Sequence, residues 1–66
     1  MKYLFAFKDA TMCGLFRRAL KASGIACEIY KAKEFPDGTQ GPELWVRYDE
    51  DYDKAMRILS ELGRET

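Results

Sequence analysis

Hydrophobic and polar positions follow two different periods along this chain, and each change of period marks an element. Residues 2–7, Lys-Tyr-Leu-Phe-Ala-Phe, are aromatic and aliphatic almost throughout and stop at Lys8 and Asp9. That composition predicts a strand. From Asp9 onward the spacing lengthens. Met12, Cys13, Phe16, Ala19 and Leu20 recur three and four residues apart, while Thr11, Arg17, Arg18 and Lys21 fall largely on the other side. This is the stripe of an amphipathic helix. Asp9 is placed to cap it, because its carboxylate can accept from the free N–H groups of the first turn. The helix is expected to run to about Ser23, with Gly24 as the residue beyond its end.

Alternation returns at residues 25–31, where Ile25, Cys27 and Ile29 interleave with Ala26, Glu28 and Tyr30. A polar stretch follows, with Pro36-Asp37-Gly38 as its turn signal, and residues 32–42 read as a long loop. A third strand is expected at 43–48, with Leu44 and Val46 on one face and Trp45 and Arg47 on the other. Asp49 is then placed to cap a second helix. Its stripe is Tyr52, Ala55, Met56, Leu59 and Leu62, its solvent side carries Asp53, Lys54, Arg57, Ser60, Glu61 and Arg64, and Gly63 is expected to end it.

The order βαββα implies an α+β fold of one domain spanning residues 1–66. Strands one and two, joined through a helix, should run parallel with a right-handed crossover. Strands two and three should be antiparallel. Both helices then cover one face of a three-stranded sheet, which is a ferredoxin-like βαββαβ unit without its last strand. Leu4, Ala6, Ile25, Cys27, Ile29, Leu44 and Val46 would face the helices. By period two, Tyr3, Phe5, Phe7, Ala26, Glu28, Tyr30, Trp45 and Arg47 would face away. A reversed phase in strand one would instead send Tyr3, Phe5 and Phe7 to the core. In the first phase the uncovered face holds five aromatic rings, and a patch of that kind marks a contact surface. Tyr3, Phe5, Phe7, Tyr30, Trp45 and Arg47 are therefore the candidate interface, for a second copy of the chain or another protein.

Composition narrows the function classes. The chain has 66 residues, 47% of them hydrophobic, with 11 basic and 11 acidic side chains and no histidine. It is too apolar to be disordered. No run is as long as a membrane helix, and the apolar start lacks a small-residue cleavage site, so neither membrane insertion nor a signal peptide is expected. Zero net charge weighs against nucleic-acid binding, which depends on neutralising phosphates. It also leaves little repulsion against self-association. Cys13 and Cys27 fall on faces expected to be buried and have no metal-ligand spacing. They read as core thiols in a reducing compartment, the cytoplasm.

Candidate chemistry is sparse. Without histidine there is no Ser-His-Asp or Cys-His arrangement, and no phosphate loop is present. Asp49-x-Asp51-x-Asp53 starts like a calcium loop, but Lys54 stands where glycine is needed and Ser60 where the bidentate Glu belongs. Acidic residues in a first helical turn are favourable through the helix dipole alone. Arg17, Arg18 and Lys21 read as a solvated helix face. Stacking of single-stranded RNA on the aromatic face is disfavoured by the missing Lys/Arg-Gly-Phe run. No catalytic, cofactor or metal residues are assigned. Long loops often bind, so Phe35, Asp37, Thr39 and Gln40 form a candidate small-ligand edge.

The segment Gly41-Pro42-Glu43-Leu44-Trp45-Val46, followed by Asp51-Tyr52-Asp53-Lys54-Ala55 and Ile58-Leu59, resembles a small bacterial domain family to which a signal-transducing role is ascribed. Leu20-Lys21-Ala22-Ser23-Gly24-Ile25 resembles that family's passage from helix to strand. The Asp9-Ala10-Thr11 turn departs from it, because the family often has Pro or Asn there. The resemblance implies a ferredoxin-like fold comparable to the PII signalling proteins and a regulatory or binding role. It brings no catalytic residues. A weaker similarity, in element order, is to the cytosolic N-terminal domain of rhomboid proteases. The expectation is thus a non-enzymatic interaction or regulatory module. The alternatives are a small-ligand sensor and the soluble appendage of such a protease.

Overall fold

Asp9 begins the first helix as a cap: its carboxylate accepts from the Thr11 N–H at 2.8 Å. The helix ends where Gly24 adopts φ 80°, and the Ile25 N–H folds back to the Leu20 carbonyl. A residue with a Cβ would be strained at that φ. The computed structural model describes residues 1–65, and side chains at 1–30 and 34–64. Its elements are β1 (Lys2–Ala6), α1 (Ala10–Ala22), β2 (Cys27–Glu34), β3 (Gln40–Val46), a 3-10 turn at Asp49–Asp51 and α2 (Tyr52–Glu65). The sheet order is β1-β3-β2, and both outer strands are antiparallel to β3. β1 and β2 therefore run in the same direction without touching. This is the α+β, ferredoxin-like βαββα arrangement, with β1 as one open edge.

Leu4, Leu44 and Val46 from the sheet meet Cys13 and Leu20 from α1 and Ala55 and Leu59 from α2. Each large aliphatic side chain buried here contributes about 1.5–3 kcal/mol. No polar or charged residue is buried among the described residues. Specificity of packing thus rests on shape.

Several expectations fail. The first concerns strand one. Tyr3 pairs with Trp45, but Phe5, not Leu4, pairs with Leu44, so Leu4 is an extra residue in a β-bulge. A bulge breaks the alternation. Tyr3 stays on the open face, Leu4 enters the core, and Phe5 and Phe7 turn toward the helices. Phe7 is 6% exposed and packs on Phe16 of α1 at 5.1 Å. Neither single phase describes β1, because it changes phase within itself.

Second, the long loop is mostly strand. β2 and β3 pair as far as Glu34 and Gln40, which leaves only residues 35–39 to turn. Pro42 consequently lies inside the central strand, where a missing N–H is normally costly. The Pro42 carbonyl accepts from the Phe7 N–H at 2.9 Å. A strand residue presents its N and C=O to the same edge, so the missing N–H faces residue 7, just past the end of β1 at Ala6, and not β2. The register of β2 also skips between Tyr30 and Lys33, opposite Pro42.

Third, Asp49 does not cap α2. Tyr48 precedes the 3-10 turn and makes no side-chain cap, while the Asp49 carboxylate pairs with the N-terminal ammonium at 3.1 Å. The acidic residues still occupy the first turn, where the helix dipole favours them. Gly63 does not end the helix either; it lies within α2. Fourth, Ile29 shares the register of Leu44 yet is exposed, because α1 lies mainly over β3 and leaves the edge of β2 uncovered.

Candidate functional site

Two surfaces stand out, one on each side of the sheet. The first is the open face. Tyr3, Trp45 and Tyr30 come from β1, β3 and β2 in that spatial order and form one row of rings. Trp45 lies between the two tyrosines, 5.6 Å from Tyr3 and 5.9 Å from Tyr30, in edge-to-face contacts. Such geometry adds about 0.5–1.5 kcal/mol per pair beyond burial. The Trp45 indole N–H donates to Glu43 at 3.3 Å, which fixes the ring. The Tyr30 hydroxyl reaches the Met1 sulfur at 3.5 Å. Tyr3 is 41% exposed and Tyr30 44% exposed, and no element lies over them. Arg47 and Glu28 form an ion pair at 3.5 Å beside the row. Both are solvent-exposed enough that the pair is worth little.

Of the six residues expected to form one interface, Tyr3, Tyr30, Trp45 and Arg47 come together on this face. Phe5 and Phe7 do not, because the Leu4 bulge turns them to the other side.

The second surface is a groove of about 650 Å³ between the helices and the end of β1. All four phenylalanines of the chain line it: Phe5, Phe7, Phe16 and Phe35. Phe5 meets Phe7 at 4.9 Å, edge to face, and remains 52% exposed at the opening. Met12 of α1 and Met56 and Leu59 of α2 complete the walls. Nothing in the sequence pattern announces this site, since its four rings come from β1, its extension, α1 and the hairpin turn. Only the flip in phase at Leu4 brings them together.

The loop residues separate in the same way. Phe35 reaches the groove. Asp37 is occupied by its own turn, accepting from the Thr39 N–H at 3.0 Å, the Thr39 hydroxyl at 2.6 Å and the Lys8 ammonium at 3.0 Å. Those donors hold its carboxyl far below the usual carboxylate range, Thr39 contributing most. Gln40 belongs to β3. Of the four, Phe35 alone lines the groove.

The thiols are free. Cys13 is buried, and Cys27 is half-buried with its Sγ donating to the Ile25 carbonyl at 3.7 Å. Burial pushes both thiols above their usual pKa, with Arg17 pulling weakly the other way. Among the described residues no group of His, Cys, Asp or Glu could hold a metal ion, and no helix is long and apolar enough to cross a membrane. Compared with family models, curated proteins and solved structures, the chain matches none of them.

Proposed function

We propose that this chain is a non-enzymatic regulatory module that docks a protein through its open sheet face, in the simplest case a second copy of itself. The observation that carries this reading is the row Tyr3–Trp45–Tyr30 on three neighbouring strands, partly exposed and uncovered. Aromatic rings flanked by arginine are what interface centres favour. A balance of 11 acidic and 11 basic residues removes the net repulsion that would oppose self-association. A signal-transducing role in the bacterial cytoplasm, as the family resemblance implies, fits a module of this kind. So do two thiols left unpaired.

Substitution on the face tests it. Tyr3→Lys and Tyr30→Lys put charge on an exposed ring position without touching the core. Each should weaken self-association by about tenfold or more, the effect of losing one interface hot spot, while circular dichroism stays native. Phe5→Ala, on the other side of the sheet, should leave association unchanged. Equal association by all of these proteins and the parent chain would rule the face out as the contact.

A further inference from the structure

The phenylalanine groove lies on the opposite side of the sheet from the docking face, and its chemistry is different. We propose that it is a binding site for a neutral, mostly apolar small molecule carrying one hydrogen-bonding group, such as an alcohol or a ketone.

Size, charge and polarity argue for this class of ligand. A hollow of about 650 Å³ lies within the range of small-molecule sites. Its walls are phenyl rings, the thioethers of Met12 and Met56, and Leu59, so the body of the ligand is apolar. Methionine adapts its shape to such guests. The rim carries one cation and one anion, Lys8 and Asp9. Both are already engaged. Lys8 pairs with Asp37 and lies over the Phe35 ring, and Asp9 holds the Thr11 N–H. A charged ligand would have to be desolvated against apolar walls, and the two rim charges, Lys8 and Asp9, are of opposite sign and already have partners, so its burial is costly. One polar group at the rim is uncommitted: Ser60 is exposed on α2 and makes no side-chain hydrogen bond among the described residues. It can serve one oxygen.

A peptide strand fits less well. It would bring a backbone N–H or C=O at every residue, and the adjoining edge of β1 is interrupted by the Leu4 bulge and begins at Lys2. Both features oppose the addition of a strand.

The methionines provide the readout. Met12 and Met56 line the groove, whereas Met1 lies at the Tyr30 ring on the other side. With methyl-labelled methionine, octanol should shift the Met12 and Met56 signals saturably and leave Met1 fixed. Octanoate and octylammonium should bind about tenfold more weakly or worse, because each carries an unpaired charge. Ser60→Trp, made from the solvent side of α2, should plug the groove and abolish the shifts while circular dichroism stays native.

Each of the following results would overturn the proposal. One is the absence of a saturable shift up to the solubility of octanol. Another is octanoate binding as tightly as octanol, or Met1 moving in step with the others. The last is Met12 and Met56 shifting with protein concentration alone, which would mean that a second copy fills the groove. The Trp45 emission reports the docking face separately, so either claim can fail without the other.

Discussion

Gly41 lacks a side chain for a steric reason. A Cβ there would overlap the Phe7 carbonyl oxygen, in backbone that cannot swing aside as a side chain would. Gly41→Ala must push β1 away from β3 at the point where the Phe7 N–H bonds the Pro42 carbonyl. The expected cost is about 3 kcal/mol, at the upper end of overpacking, read as a lower urea midpoint with an unchanged slope. Asp37 makes a different prediction. Its folded pKa is depressed by the Thr39 and Lys8 hydrogen bonds, so the order it gives the hairpin turn is complete above the unfolded carboxylate value of about 3.9. That order is lost as pH falls below this and through the folded value. The Thr39 amide resonance should therefore hold its hydrogen-bonded position at pH 5 and move only in strong acid. Movement centred near pH 4 would show that the turn does not hold the charge.

The elements were legible wherever a residue type has one structural use. Asp9 as a cap and Gly24 beyond the helix end follow from hydrogen-bond supply and from φ, and both stand as read. Asp9→Ala should cost about 1 kcal/mol in thermal or urea unfolding. The helical stripes were equally clear, because polar residues separate them. β1 was not. Every position from Tyr3 to Phe7 is apolar, so no polar residue betrays the slip at Leu4. Pro42 misled in the opposite sense, since it fits a central strand only because its missing N–H faces residue 7, just past the end of β1. Both errors turn on the partner strand, which leaves no mark in local sequence. The slip at Leu4 moved Phe5 and Phe7 off the expected interface and opened the groove.

At the scale of the molecule, three strands and two helices leave the sheet covered on one side only. The core is small and wholly apolar, so both thiols should behave as packing groups. Cys13, buried on α1 with its pKa raised by burial, should react with iodoacetamide far more slowly in the folded chain than in urea. Fast labelling of the native protein at neutral pH would contradict the packing described. The proposed function puts docking on the open face rather than on a reactive group. Tyr3, Tyr30 and Trp45 were assigned to it from alternation alone, and the structure adds their edge-to-face contact and the fixed indole. Solution mass measured by sedimentation across a wide concentration range, with acrylamide quenching of Trp45 on the same samples, addresses this most directly. The mass should rise from the 7.6 kDa of one chain toward twice that value, and quenching of Trp45 should fall in parallel. A mass that stays at one chain throughout, with Trp45 equally quenched at every concentration, would contradict self-docking through this face.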